Sequence, residues 1–358
     1  MEETELWSRP ADACWRCSRR AGTVRSSRGC STPPSGVRAR SPDAPPVRVP
    51  LERRLRSRAR SRGPRPGYAT MRPMRITPAI PTADIEARVA DAVAAIRERT
   101  TLVPQVGLTL GSGLGGVVDA IPGAELFHTR DLPHWPASTV SGHAGRLAVG
   151  TWCGIPVVAL AGRSHRYEGY TLDKVTFAVR VMHALGCRTM LFTNAVGAIN
   201  PELRPAELML ATGHLNFISK RNLLTPTELR ERQLGRKIGD PYSPRLRAAL
   251  LEAALEAGVK LHQGVLMGGH GPTYETASEV RMAARLGADV ACMSTVHEVT
   301  LAAQLGCETA SLSCITNRAT GLSATPLTHH EVTEVADRVA VQLRAVLERF
   351  LDAEGARG

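Results

Sequence analysis

Short apolar runs alternate with amphipathic helical stretches along most of this chain, and that alternation leaves few architectures open. Val106–Leu110, Ile155–Ala161 and residues 189–193, 207–212 and 309–315 read as strands. Between them lie helical patterns. Ile85, Val89, Ala92, Val93 and Ile96 recur at helical spacing over 83–99. A second helix over 172–185 is closed by Gly186, and a third starts at Ser243-Pro244, with proline at the first helical position, and runs to about Ala257. Residues 296–305 end at Gly306, and the last helix, over 330–351, carries Val335, Val339, Leu343, Val346 and Phe350 on one face. The expectation is a single α/β domain with a central mixed, largely parallel β-sheet flanked by helices.

The most punctuated stretch is Gly268 to Ser294. A glycine-rich loop (Gly268, Gly269, Gly271) leads to Pro272-Thr273-Tyr274-Glu275 and then a helix, where Thr276 and Glu279 have capping-box spacing. Residues 288–293 read as a buried strand. Glu275, in a loop of small residues just before the cap, can meet a ligand's N–H; the competing reading is that it only serves the helix dipole. Two further loops follow strands. Gly111-Ser112-Gly113 lets backbone N–H groups approach an anion, with the Ser112 hydroxyl as a donor, although an empty tight turn is an equal reading. Asn194-Ala195-Val196-Gly197-Ala198 puts small residues at a strand's C-terminal end, where open α/β sheets collect ligands. After Ile155–Ala161, Arg163, His165 and Tyr167 alternate onto one face if the segment stays extended, giving an anion fork, a second donor and a flat ring; the alternative is a surface ion-pair cluster. Thr316-Asn317 ends the strand at 309–315.

The +12 formal charge invites a nucleic-acid reading until it is located. Residues 1–75 hold 18 Arg and no Lys against 6 Asp and Glu, which accounts for the whole imbalance; the rest of the chain balances. That tail is Arg/Pro/Ser-rich with few aliphatics, and its composition predicts disorder. Composition changes at Met71 and Met74, so the functional protein is expected to start near Met71, with the folded domain at 76–358; the rival reading is a basic arm for an acidic partner. Of the eight Cys, Cys153, Cys187, Cys292, Cys307 and Cys314 lie in or beside apolar runs without metal-ligand spacing and read as reduced buried thiols. No run of about 18 apolar residues is present, so no membrane span is expected. The expected location is the cytoplasm.

In this order, the motifs GSGLGG, SGHAGRL, GRSHRYEGY, TNAVGAIN, GPTYETASEVR, GADVACMSTV and ITNRATGLS closely resemble those of the trimeric purine nucleoside phosphorylases specific for 6-oxopurines, over about residues 76–351. The resemblance implies reversible phosphorolysis of purine (2′-deoxy)ribonucleosides, inosine and guanosine, with inorganic phosphate as co-substrate, no cofactor or metal, and a homotrimer. It assigns phosphate to Ser112, Arg163, His165, the Ala195 backbone N–H and Ser294, with His143 nearby. It puts Tyr167 and Met293 at the sugar, His329 at its 5′-hydroxyl, Glu275 and Asn317 at the base, Tyr274 along the base face and Ala291 at a small apolar position. Glu275, Asn317, His165 and His329 would carry the catalysis.

The chain also departs from that family. Gly213-His214-Leu215-Asn216 stands where the family has Asp-His-Ile-Asn, and His297 where it commonly has proline. The segment 213–232, which in the family reaches a neighbouring subunit's site, does not align cleanly. Two rival readings remain. An enzyme acting on 5′-methylthioadenosine shares the fold and phosphate cradle, but would carry aspartate in place of Asn317 and not a glutamate at Glu275. A non-enzymatic nucleic-acid-binding protein would rest on the tail alone.

Overall fold

The computed structural model describes residues 82–140, 143, 145–218, 223, 240–322 and 329–356, with side chains in part of that last stretch. The expected tail at 1–75 lies outside these residues. The described part falls in one unit of the chain, Met71–Gly358.

A nine-stranded sheet runs through the domain. In chain order it contains β1 (Val106–Leu110), β2 (Glu125–His128), β3 (Arg146–Trp152), β4 (Ile155–Ala161), β5 (Thr189–Ala198), β6 (Leu208–Asn216), β7 (Leu261–Gly268), β8 (Val290–Cys292) and β9 (Glu308–Arg318). Their order in space is β2-β3-β4-β1-β5-β8-β7-β6-β9, and β9 also pairs with β5. The β1–β4, β1–β5, β5–β9, β6–β7 and β7–β8 pairings are parallel. The other four are antiparallel. The sheet is therefore mixed and, by a small margin, mostly parallel.

The helices are α1 (Thr82–Arg97), α2 (Leu172–Val175), α3 (Phe177–Leu185), α4 (Pro244–Glu256), α5 (Ala277–Arg285), α6 (Val296–Gln304) and α7 (His329–Gly355). The strand pleat decides which helix meets which face. Along β4, Val157, Ala159 and Ala161 join a core with α4 and α7, where Leu246, Leu250, Leu347 and Phe350 are buried. Val158 and Leu160 point the other way, into a core with α1, α3 and α6. β5 divides likewise, Leu191 to the first core and Met190 and Phe192 to the second. Each fully buried large apolar side chain contributes about 1.5–3 kcal/mol.

Local signals hold where they are local. Ser243 caps α4 by accepting from Leu246 N–H, with Pro244 in the first turn. Thr276 and Glu279 form the expected capping box of α5. Some expectations need correction, among them the ends of β6 and β9, which run on to Asn216 and Arg318 past the expected 212 and 315. Residues 172–185 form two helices, divided at Thr176, whose hydroxyl donates to the Leu172 carbonyl and competes with the backbone ladder. β5 extends five residues past Thr193, because β9 pairs with it along its full length. The strands β2 and β3, absent from the sequence reading, form an antiparallel extension on β4. Cys187, Cys292, Cys307 and Cys314 are buried thiols outside any disulfide, and Cys153 is half-buried. Among the described residues no helix is long and apolar enough to cross a membrane.

Candidate functional site

The C-terminal ends of β1, β4, β5, β8 and β9 open onto one cleft with about 780 Å³ of open space. Twelve of the thirteen residues named from sequence line it. From the first three strand ends come Ser112, Arg163 with His165 and Tyr167, and Ala195. β8 and the turn after it bring Ala291, Met293 and Ser294, β9 brings Asn317, and the loop after β7 brings Tyr274 and Glu275. His143 enters from the segment before β3. The thirteenth, His329, starts α7, and its side chain lies outside the described residues. Most of the 213–232 segment is also outside them.

One end of the cleft is an anion cradle. Arg163 is 5% exposed, which rules out the surface ion-pair reading. Its Nη1 donates to Ser294 Oγ (3.1 Å) and Thr295 Oγ1 (3.3 Å), and its Nη2 to the Thr193 carbonyl (2.7 Å). Ser294 Oγ accepts from the guanidinium and lies 3.2 Å from Thr295 Oγ1, so its own proton goes either to Thr295 or to a ligand. Thr295 holds φ +55°, costly for a β-branched residue, where the chain turns from Ser294 into α6.

His165 follows, also buried. Its Nδ1 is 3.1 Å from Glu168 Oε1, which also accepts the His165 backbone N–H at 2.6 Å. Glu168 Oε2 accepts from the Thr139 hydroxyl at 2.8 Å and from its backbone N–H. Burial alone would push the Glu168 carboxyl up, but the bonds from His165 and Thr139 hold it down at about 2. The ionised carboxylate therefore fixes Nδ1 as the protonated nitrogen and leaves Nε2 for a ligand. Tyr167 does not alternate with His165 along an extended strand; residues Arg166–Glu168 form a 3₁₀ turn. The turn still stacks the Tyr167 ring on His165 at 4.7 Å, and His143 stacks on the other side at 5.1 Å.

His143 Nδ1 is 2.6 Å from the Arg163 carbonyl and 3.1 Å from the Arg163 backbone N–H, so the Arg163 backbone holds the ring. Its Nε2 lies 2.9 Å from Ser112 Oγ. Burial, the neighbouring His165 and the Arg163 guanidinium hold the His143 imidazole down at about 4, so it is neutral near pH 7.

At the other end, Glu275 and Asn317 face the same space. Glu279 is occupied by the α5 cap, where it accepts from Thr276, so the helix terminus has its carboxylate without Glu275. Burial pushes the Glu275 carboxyl up from its usual value, and an N–H donor from a ligand would favour its charged form. Asn317 owes its position to a bulge. The register of β5 and β9 shifts so that Val196 faces Ile315 and Gly197 faces Asn317, leaving Thr316 as an extra residue. Thr316 Oγ1 lies 2.8 Å from Asn317 Oδ1 and 3.2 Å from the Val196 carbonyl, and Asn317 Nδ2 donates to the Arg318 carbonyl. Glycines make the approach possible: a Cβ on Gly197 would sit 3.0 Å from Asn317 Nδ2, and one on Gly269 2.9 Å from Glu275 Oε1.

Glu168, Thr295 and Thr316 are the supporting residues missed from sequence. For Glu168 a signal existed, since a Glu three residues after His165 can reach back to the backbone N–H it caps. The other two depend on partners remote in sequence.

Comparison with known proteins shows the family. The phosphorylase superfamily profile matches residues 105–352. The chain is 41% identical over 258 residues to purine nucleoside phosphorylase 1 of Geobacillus stearothermophilus, covering 72% of this chain and 93% of that protein. It is 38% identical over 261 residues to purine nucleoside phosphorylase of Mus musculus, covering 71% and 89%. Among solved structures, Schistosoma mansoni purine nucleoside phosphorylase in complex with adenosine superposes with a TM-score of 0.68 at 30% identity, covering 76% of this chain and 98% of that one. A schistosome purine nucleoside phosphorylase with hypoxanthine gives 0.66 at 29%, with the same coverage.

Proposed function

This chain belongs to the phosphorylase superfamily and, within it, to the purine nucleoside phosphorylases, and from that premise we infer that it catalyses reversible phosphorolysis of purine nucleosides, with 6-oxopurines as its bases. A purine (deoxy)nucleoside and inorganic phosphate give the free base and (deoxy)ribose 1-phosphate, a pentosyl transfer suited to purine salvage. The observation that carries this reading is the presence, in one cleft, of an anion cradle at one end and a carboxylate–amide pair at the other.

The chemistry follows from charge. Breaking the C1′–N9 bond builds positive charge on the sugar and negative charge on the departing base. Phosphate held by Ser112, Arg163, His165, Ala195 N–H and Ser294 lies beneath the sugar, both as counter-charge and as nucleophile, so attack inverts the anomeric carbon. No covalent enzyme nucleophile is required, only positioning and donors aimed where charge develops. Tyr167 and Met293 border the sugar and His329 its 5′-hydroxyl. Glu275 accepts the N1–H that a 6-oxopurine carries, and Asn317 bonds the N7 and O6 edge, with Tyr274 along the ring and Ala291 leaving room. The reaction as written uses no cofactor.

An enzyme for 5′-methylthioadenosine is disfavoured by the asparagine at Asn317 and the glutamate at Glu275. We further propose a homotrimer working in the cytoplasm. Sedimentation of the protein starting at Met71 should give a species of three chains, and an active monomer would refute it. The test of function is release of hypoxanthine from inosine. It should require phosphate and yield ribose 1-phosphate in equal amount; release without phosphate, or none with it, would overturn the proposal.

A further inference from the structure

Arg163 is held from behind by a carboxylate that the reaction above does not use. Its Nε lies 3.2 Å from Glu298 Oε2, with side-chain exposures of 3% and 2%. Neither atom has an aligned hydrogen bond to any described residue, so the contact is one of charge. Glu298 sits in the first turn of α6, and behind the cradle it lines a second cavity that shares only the His143 and Arg163 walls with the cleft.

We infer that Glu298 is a positioning residue that shares the Arg163 guanidinium with the incoming anion, so that phosphate binding draws a proton into the buried cluster. This inference rests on the reading of the cradle as the phosphate site.

The argument is a tally of the groups that face one another. Among the described residues, Arg163 is the only permanent cation lining the cradle, since guanidinium does not lose its proton in proteins. Against it stand Glu298 on α6 and Glu168 on the turn after β4, the latter ionised through its bonds to His165 and Thr139. Three imidazoles complete the set. His143, before β3, is held down at about 4 and is neutral. His297, next to Glu298, is 2% exposed and has no hydrogen-bond partner at either nitrogen among the described residues. Burial and the charges of Arg163, His165 and Arg166 hold it down at about 3, which also keeps it neutral. His165 has Nδ1 committed to Glu168.

Two cations stand further out. Arg166, on the His165 turn, is bonded to the Tyr170 carbonyl, and Lys174, on α2, lines the rear cavity with its ammonium 5.6 Å from the Tyr170 ring centre. The cradle therefore sets two carboxylates, Glu298 and Glu168, against one buried guanidinium among the described residues. Burial pushes the Glu298 carboxyl up and Arg163 opposes it. A phosphate dianion arriving on the cleft side competes with Glu298 for the same charge, which raises proton affinity at Glu298 Oε2. One proton from solvent then moves to Glu298 Oε2; no other bond is made or broken.

The experiment is calorimetric titration of inorganic phosphate into the full-chain protein near pH 8, in two buffers of different ionisation enthalpy. Affinity is also measured at intervals from about pH 7 to about pH 8.5. Uptake close to one proton per phosphate is expected, with affinity falling by up to about tenfold per pH unit. Glu298→Gln should reduce the uptake by at least about half and flatten that slope, while hypoxanthine affinity is unchanged. Glu298→Asp, which keeps the charge, should restore the slope. Phosphate binding without proton uptake in the wild type, or unchanged uptake in Glu298→Gln, would overturn the inference and leave the functional reading intact. If the variants do not fold, the same titration with sulfate, which stays a dianion across this pH range, separates uptake by the protein from binding of phosphate as its monoanion: uptake is expected, and its absence would overturn the inference. Absence of phosphate binding at every pH would instead overturn the functional reading, and this inference with it.

Discussion

Replacing Gly197 with alanine should separate activity from stability. Gly197 lies in β5 opposite Asn317, and its φ is not positive, so alanine can adopt its backbone conformation. The added Cβ would be 3.0 Å from Asn317 Nδ2, against 3.6 Å from the Ala319 Cα. The amide is therefore the group that must yield, by about half an ångström to reach ordinary contact. Displacing a hydrogen-bonding group that meets the ligand in a closed site costs about 1–3 kcal/mol. That corresponds to a loss of about 5- to 150-fold in kcat/KM for inosine. The fold should not suffer, because the crowded atom ends a side chain, and alanine for glycine gains about 0.4–1 kcal/mol through the unfolded chain. Steady-state kinetics with inosine, phosphate affinity by titration and a thermal melt are the three measurements. The expected set is reduced kcat/KM, wild-type phosphate affinity and an unchanged or higher Tm. A kcat/KM within about twofold of wild type would refute the steric argument. A lowered Tm would show that the backbone, not the amide, moved.

The two ends of the cleft should also be separable by other substitutions. Ser294→Ala should weaken phosphate binding by about 1–2 kcal/mol while leaving hypoxanthine binding close to wild type, by titration with each ligand; the reverse pattern would overturn the cradle assignment. Adenosine presents an unprotonated N1 to Glu275 and an amino group to Asn317, so inosine and guanosine should be preferred by at least about a hundredfold in kcat/KM, measured at saturating phosphate. Glu275→Gln should sharply lower inosine turnover, and Asn317→Asp should admit adenosine. Equal turnover of adenosine and inosine by the wild type would contradict the 6-oxopurine reading. In acid, Glu168 sets a stability window. Its folded value of about 2 is below the usual 4.5, so its contribution is complete above the usual value and is lost as pH falls toward about 2. Glu168→Gln should flatten the acid limb of a plot of Tm against pH.

Much of the architecture was legible because it is written locally. The caps at Ser243 and Thr276 involve residues three apart, and strand identity in β1 and β4 follows from uninterrupted apolar runs. Asn194 to Ala198 read as loop because the residues are small and partly polar. They are strand because β9 and β8 supply partners more than 90 residues away. The site residues were legible as motifs, but what holds them was not. Nothing in a linear reading joins Arg163 to Glu298, or shows that Thr316 is an extra residue opposite Val196 and Gly197. Such contacts depend on register and on the packing of distant segments, which local pattern does not encode. His297 shows the limit from the other side: noted as a departure at the level of sequence, it acquires meaning only once it is found buried beside the cradle.

The sheet order has a consequence for synthesis. β5 is flanked in the finished sheet by β1, made before it, and by β9, made last. About 110 residues separate the end of β5 at Ala198 from the start of β9 at Glu308. At about 5–20 residues per second, the ribosome takes roughly 5–20 s to cover that distance. During that interval the nascent chain carries an open strand edge with Leu191, Phe192 and Val196 along it, the kind of edge that templates pairing with other chains. Conditions that slow translation past Ala198 should therefore favour aggregation of the growing polypeptide, and chaperones that shield strand edges should raise the yield of soluble protein.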